Sequence, residues 1–375
     1  MKIAQIAPIW YSIPPKKYGG TELVVYNLTE GLVQRGHDVT LYATQDSQTS
    51  ACLKSHVPAG IVESGGTFND YIEPLKHVLD ALKYQDEYDI LHLHFTSLFD
   101  YVILSLVRNI PNALITIHWN FPRLKQLQAR REIWETHLNS LPLITISNSQ
   151  QVDYRLNFVG TVYNSIDFEK YSFYEQPSPG NLLWISRICR EKGTFEALDV
   201  ARILKRDITI IGAVNSTKEE VRRYYDDEVK PLLQDPRVSH LGELELSAKN
   251  KALGSAKIFL FPLQWEEPFG LVLIEAMACG TPVVAFARGS IPEIIQDGVT
   301  GFIINPSESD KRGEWIIKKT GIAGLCEAVE RIYSMSAKTY TLMRRQCRNH
   351  VEAKFGIDHM VQGYERIYQK VMQGK

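Results

Sequence analysis

Short apolar runs rich in β-branched residues recur along this chain, each followed by a stretch with helical spacing. That alternation limits the available folds more than any other feature. In the first half the runs are 3–7, 38–43, 90–95, 114–118 and 143–147; in the second they are 182–186, 208–212, 238–241, 258–261 and 283–286. A strand that is apolar throughout must be covered on both faces, as in a parallel sheet sandwiched between helices. The spacing predicts helices over 21–35, from 194, over 218–233, over 269–279 and over 357–372. The expected class is α/β, with open parallel sheets that take their ligands at the carboxyl ends of the strands.

A chain of 375 residues exceeds the size at which one core stops growing, so two domains are expected. The pattern dissolves into aromatic, polar, Pro and Gly residues over 171–180, which reads as the linker. The polar, Lys-rich segment 306–320 reads as a mobile surface loop. A net charge of −1 gives no reason to expect nucleic acid. The five cysteines are scattered and form no CxxC, which argues for a reducing cytoplasm and against disulfides or structural zinc. The N-terminal run is too short for a signal sequence and no segment is long enough to span a bilayer, while peripheral membrane contact stays open.

The richest local run is Glu267-Pro268-Phe269-Gly270-Leu271-Val272-Leu273-Ile274-Glu275-Ala276-Met277-Ala278-Cys279-Gly280. Pro268 suits a helix start and Gly280 a helix end. The free N–H groups and positive dipole end of the first turn suit a phosphate. Glu275, five residues beyond Gly270, lies ~7.5 Å along the axis, roughly the span from a diphosphate to ribose hydroxyls. Glu267 is left to face the other end of such a ligand. A plain helix with a Glu at each end is the competing reading.

Other residues gain meaning together. Gly19-Gly20 opens a helix after the first strand's loop, without a GxGxxG or Walker pattern, and a flexible turn explains it equally well. Arg187 and Lys192 follow a strand's carboxyl end, where two cations could neutralise a diphosphate; a solvated charged loop is the alternative. His118 ends a buried strand, in a cleft-facing or a structural role. His92 and His94 share a face of the neighbouring strand but lack further ligands, Asp100 being the nearby carboxylate, so no metal site is expected. The basic stretch 123–131 could meet an anionic acceptor or a membrane, although Glu132 and Glu135 balance it toward a solvated helix face.

Tyr18-Gly19-Gly20, His118, Ser186-Arg187, Glu191-Lys192-Gly193 and Glu267-Pro268-Phe269-Gly270 with Glu275-Ala276 occur here in one order and spacing. That combination resembles the retaining glycosyltransferases of family 4, over nearly the whole chain. Gly289-Ser290-Ile291-Pro292-Glu293 and Arg35-Gly36-His37 echo it. The resemblance implies a GT-B fold: two Rossmann-like domains facing a central cleft, 1–170 on the acceptor side and 171–356 on the donor side. The C-terminal helix, 357–375, would cross back to the first domain.

It further implies a UDP- or GDP-sugar donor and a hydroxyl acceptor (glycan, lipid or small molecule), with no cofactor and no metal. Glu275 would bind the ribose, and the backbone of Phe269, Gly270 and Leu271 would lie against the phosphates and sugar. Arg187 and Lys192 would stabilise the departing diphosphate, Glu267 and His118 would contact the sugar, and Gly19-Gly20 would approach the phosphates. Base recognition would use backbone near Gly242-Glu243-Leu244. The chain departs from the family at Ser165, where Gly usually follows Asn, and at Trp119, where a smaller residue is frequent. A glycan phosphorylase or a catalytically silent sugar-nucleotide-binding protein would share this frame. An NAD oxidoreductase is disfavoured, because no glycine fingerprint follows 3–7.

Overall fold

The computed structural model of the protein describes residues 1–16, 19–96, 100–122, 127–177, 180–214 and 218–373. Tyr18, 123–126, 178–179 and 374–375, which entered the sequence reading, lie outside the described residues, as does the side chain of Asp100. The chain divides into two compact units, Met1–Ile166 with Gly356–Lys375, and Asp167–Phe355. The divide thus falls a few residues before the 170 read from the sequence.

The first unit holds a seven-stranded sheet: β1 (Lys2–Ile6), β2 (Asp38–Tyr42), β3 (Cys52–Lys54), β4 (Ile90–Phe95), β5 (Ala113–Ile117), β6 (Leu143–Thr145) and β7 (Phe158–Thr161). Their order is β3-β2-β1-β4-β5-β6-β7, with every pairing parallel. The second unit holds six: β8 (Leu182–Ile185), β9 (Ile208–Ile211), β10 (Val238–His240), β11 (Ile258–Phe261), β12 (Val283–Phe286) and β13 (Gly301–Ile304). They run β10-β9-β8-β11-β12-β13, again all parallel. This is the doubly wound order, in which the chain reverses direction across the sheet between β1 and β4, and between β8 and β11. The crevices outside those strand pairs are where such sheets take ligands.

Burial follows the two-sided apolar runs. In the second unit Leu182, Trp184, Ile208, Ile210, Ile258, Leu260, Val284 and Phe286 share one buried core with helices Thr194–Leu204 and Gly321–Tyr333. Helix Leu271–Ala278 packs on β12 and against helix Ala337–Lys354. Strands β3, β7 and β13 escaped the sequence reading because they are short and partly polar or glycine-containing. The single helix expected over 218–233 is three short pieces: Glu219–Tyr224, a π-turn at Tyr225–Val229, and a tight turn at Leu232–Gln234 beyond Pro231.

Two expectations are corrected. The 171–180 segment is no linker, because Tyr171 is buried and the backbone of Tyr174 is held on both sides. Its N–H donates to Cys279 O at 3.1 Å, and its carbonyl accepts from Arg344 Nε at 2.7 Å. Arg344 is fully buried and also donates to Ala256 O, Gly254 O, Cys279 O and the Tyr340 hydroxyl. Its fork thereby caps the carboxyl ends of two helices, Leu246–Ser255 and Leu271–Ala278. The 306–320 segment is pinned rather than free. Asn305 accepts from Arg312 N at 2.7 Å and donates to Gly313 O at 2.9 Å, and Ile317 is buried.

The C-terminal helix Ile357–Gln373 belongs to the first unit. It lies against helix Gly20–Gln34, where a Cβ on Gly31 would come within 2.5 Å of Val361. Ser165, the departure from Asn-Gly, is buried beneath it with Oγ 3.3 Å from Met360 Sδ. Among the described residues no helix is long and apolar enough to cross a membrane.

Candidate active site

The loops leaving β8 and β11, the two strands flanking the second unit's switch point, are tied together. Gln264 N donates to Glu191 O at 2.9 Å, and the Trp184 indole donates to Lys192 O at 3.1 Å. Gly193 is left-handed, at φ 72°, and a Cβ there would sit 1.9 Å from Pro262 O. Only glycine permits that approach. The result is a fixed perch for Lys192. Its Nζ meets Glu267 Oε2 at 2.7 Å and stands 4.7 Å over the Trp265 ring. Trp265 Nε1 donates to the same oxygen at 3.1 Å.

Glu267 Oε1 meets no protein donor among the described residues, so that oxygen keeps its capacity to accept a hydrogen bond. Its backbone is equally constrained, for Ser290 N donates to Glu267 O at 2.9 Å and a Cβ on Gly289 would collide with it. Arg187 lies on the same β8 loop, exposed, its guanidinium unpaired among the described residues. Next to Glu267, Glu266 accepts from Gly289 N and pairs with Arg288 at 3.2 Å and Arg312 at 2.7 Å. Asp310 completes that network and holds the 306–320 segment to the site loop.

The helix begins at Leu271, not Phe269, because Gly270 takes a left-handed cap at φ 86°. Phe269 is buried edge-on against Phe355, and its carbonyl accepts the Ser290 hydroxyl at 2.7 Å. Its side chain is therefore core. In the first turn that follows, Leu273 N donates to Gly270 O at 3.0 Å, while the N–H groups of Leu271 and Val272 precede the helical ladder. One and a half turns on, the buried Glu275 receives Lys249 Nζ on both oxygens, at 2.8 and 3.0 Å, and the Tyr171 hydroxyl on Oε1 at 2.7 Å. A carboxylate accepts about four hydrogen bonds, so Oε2 retains one position. Burial beside that carboxylate raises the Tyr171 pKa and keeps its hydroxyl a donor.

In the first unit, Gly19 precedes helix Gly20–Gln34 at the end of the β1 loop. The tight approach it allows is to Pro15 and to Glu22, whose side chains a Cβ would meet at 2.6 and 3.1 Å. Burial pushes the Glu22 carboxyl up to about 8. His118 follows β5 directly, its N–H bonded to Phe95 O at 3.0 Å, and burial pushes its imidazole down to about 3, so it is neutral. Its Nε2 meets His94 Nδ1 at 3.0 Å. His92 and His94 are both engaged in hydrogen bonds, and among the described residues no His, Cys, Asp or Glu cluster could hold a metal ion. Arg131 pairs with Glu135 at 2.9 Å, as a solvated helix face does.

Two family models match consecutive stretches of the chain. The Glycosyltransferase Family 4 model matches residues 18–170 and the Glycosyl transferases group 1 model matches residues 167–319. The chain belongs to glycosyltransferase family 4.

This glycosyltransferase is 24% identical, over 83% of its length and 85% of the relative, to a phosphatidyl-myo-inositol mannosyltransferase of Propionibacterium freudenreichii. It is 23% identical, over the whole of both chains, to O-antigen chain mannosyltransferase C of Escherichia coli. Among solved structures it is similar to sucrose-phosphate synthase of Thermosynechococcus elongatus, with a TM-score of 0.76 at 19% identity over all of both chains. It is also similar to Anabaena HepE in complex with UDP and glucose, with a TM-score of 0.68 at 17% identity over 99% of this chain and 100% of that one. The two Rossmann-like units are those of the GT-B fold.

That Trp265 would touch Glu267, and Lys249 and Tyr171 would touch Glu275, was not foreseen in the sequence of this glycosyltransferase. A tryptophan two residues before Glu267 was a usable signal, and so was an aromatic residue in a supposed linker. Lys249, one lysine on a polar helix, carried none.

Proposed function

We propose that the chain moves a hexosyl group from a nucleoside-diphosphate sugar to a hydroxyl acceptor with retention at the anomeric carbon and without a metal. The observation that carries this reading is the Lys192–Glu267 pair at the second unit's switch point, with one carboxylate oxygen and the Arg187 guanidinium of the Lys192 loop both unpaired among the described residues. Similar proteins agree in kind: there are mannosyltransferases among the relatives, and complexes with UDP-glucose or ADP among the structures.

In this reading the first turn after Gly270 and the Arg187 and Lys192 cations take the diphosphate. The open oxygen of Glu275 accepts a ribose hydroxyl, Glu267 Oε1 accepts a sugar hydroxyl, and His118 contacts the sugar. The C1–O bond to the diphosphate breaks with its electron pair on the departing oxygen. The acceptor oxygen bonds C1 from the same face, and its proton passes to the diphosphate. The cations act where charge develops, which is what lowers a barrier of this kind.

The test is a thermal-shift screen against UDP, GDP and ADP, followed by donor hydrolysis with and without EDTA. Stabilisation by one diphosphate, slow EDTA-insensitive release of it from the matching sugar donor, and an α-product from an α-donor are expected. Binding with no turnover on any donor in the panel would make the chain a silent binder, and EDTA-sensitive turnover would overturn metal independence.

A further inference from the structure

A buried polar network in the first unit runs from the C-terminal helix to His118. Gln5, His92, Thr116, Tyr364 and Tyr368 are fully buried, and His94 nearly so. Gln5 Nε2 donates to the Tyr368 hydroxyl at 3.1 Å, and Gln5 Oε1 lies 2.7 Å from His94 Nε2. His94 Nδ1 in turn meets His118 Nε2 at 3.0 Å. On the other branch, the Tyr368 hydroxyl is 2.7 Å from His92 Nδ1, His92 Nε2 is 2.7 Å from Thr116 Oγ1, and Thr116 is 3.2 Å from the Tyr364 hydroxyl.

The protons in this chain of contacts are not independent. An amide oxygen can only accept, so the partner atom of Gln5 Oε1, His94 Nε2, must carry a hydrogen. A neutral imidazole has one N–H, which leaves His94 Nδ1 bare and able only to accept. The atom facing it, His118 Nε2, must then be the donor, and His118 Nδ1 is bare in its turn. Burial keeps all three rings neutral, His94 and His92 well below their ordinary value. In the second branch Tyr368 accepts from Gln5, and the hydroxyls of Tyr368 and Thr116, each able to donate or accept, meet the two ring nitrogens of His92. One amide thus sets the polarity of the branch from Gln5 through His94 to His118. His118 Nδ1 has no protein partner among the described residues, so it is the network's outlet.

We propose that Gln5 and His94 are positioning residues that fix the tautomer of His118, so that it offers a bare Nδ1 as a hydrogen-bond acceptor. Such an atom receives a hydroxyl and rejects a phosphate oxygen, which has no proton to give. His118 therefore selects a sugar hydroxyl over the diphosphate; this last step rests on the proposed role of His118 at the donor sugar.

Nitrogen-15 NMR of the full chain labelled at histidine, with His118→Phe for assignment, reads the tautomer without any substrate. His118 is expected as a single species, protonated at Nε2 and bare at Nδ1; an Nδ1–H species overturns the proposal. Gln5→Met keeps the shape of the side chain but removes the amide, and is expected to leave His118 a mixture of tautomers. His94→Phe, which removes the contact itself, is expected to do the same. A folded Gln5→Met or His94→Phe protein with the wild-type signature overturns the positioning roles. Donor hydrolysis by His118→Ala separates the two claims: unchanged hydrolysis beside a bare Nδ1 removes the sugar contact and leaves the relay standing.

Discussion

Lys192 Nζ lies 2.7 Å from Glu267 Oε2, and Trp265 donates to that same oxygen from 3.1 Å. Both charged side chains are close to nine-tenths buried. Each follows one of the two strands between which the sheet reverses, so the pair exists only when β8 and β11 lie side by side. The arrangement pairs the lysine charge with one oxygen of the glutamate and leaves the other oxygen without a protein donor among the described residues.

Lys192→Met keeps the stem and removes the charge. It is expected to lower kcat by about 10²-fold, as loss of one transition-state donor does, and to cost about 1–3 kcal/mol because Glu267 loses a partner. Urea unfolding of Lys192→Met, Glu267→Gln and the double variant checks the coupling. Additive losses in the double variant would show that the two side chains do not interact.

Glu275→Gln is expected to weaken binding of the preferred nucleoside diphosphate about tenfold, the worth of one charge-assisted hydrogen bond. Tyr171→Phe, which removes a donor from Oε1 and none from Oε2, is expected to leave that affinity within about twofold and to lower stability by about 1–2 kcal/mol. Calorimetric titration and urea unfolding separate the two effects. Equal affinity in wild type and Glu275→Gln would remove the ribose assignment.

Gly193→Ala is expected to cost more than about 3 kcal/mol, since its Cβ would need to occupy the position of the Pro262 carbonyl. Gly36→Ala has the same sign of φ, but nothing lies within 4 Å of its Cβ. It should cost only the left-handed penalty of about 1–2 kcal/mol. Comparable losses in both would mean that the Pro262 contact is easily relieved.

Arg344→Lys is expected to cost about 3 kcal/mol or more, because an ammonium cannot satisfy five spread acceptors at once and leaves buried helix carbonyls unpaired. The 171–177 backbone should lose amide hydrogen-exchange protection in parallel. Unchanged protection at Tyr174 would show that the segment is held by its aromatic side chains alone.

The first unit should lose stability in acid through its buried histidines. His77, fully buried with Nε2 3.1 Å from Ala7 O, is pushed by burial from 6.5 down to about 4, and His118 to about 3. A depressed folded value means that the unfolded chain binds the proton first. The stability is complete above pH 6.5 and is lost progressively as pH falls from there, the loss ending near pH 4 for His77 and near pH 3 for His118. Each such histidine withdraws ~2 kcal/mol between pH 7 and pH 5. His77→Gln should shrink the measured loss by about that amount, and an identical pH dependence would refute the assignment.

Much of this was legible in residue order. The apolar runs at 90–95, 258–261 and 283–286 coincide with β4, β11 and β12, because a strand buried on both faces needs no partner to declare itself. The Glu267–Gly280 stretch declared its helix and its glycine end for the same local reason, while its start fell two residues later than read, at Leu271 after the left-handed Gly270. What local pattern misread were segments whose conformation is imposed from a distance. Tyr171 and Tyr174 looked like linker residues because Arg344, which holds Tyr174, is 170 positions away. The 306–320 segment looked free because Arg312 finds Glu266 at a separation of 46.

By itself, then, the amino-acid order determined the α/β class, the βα rhythm and which loops carry charge at strand ends. Those properties depend on hydrophobic period and on caps within a few residues. Only the tertiary structure decided that Lys192 pairs with Glu267, that Glu275 is shared with Lys249 and Tyr171, and that a glutamine on the first strand reaches His118 through His94. Hydrogen bonds and ion pairs act over about 3 Å, and side chains this far apart in sequence come within that range only after the sheets have assembled.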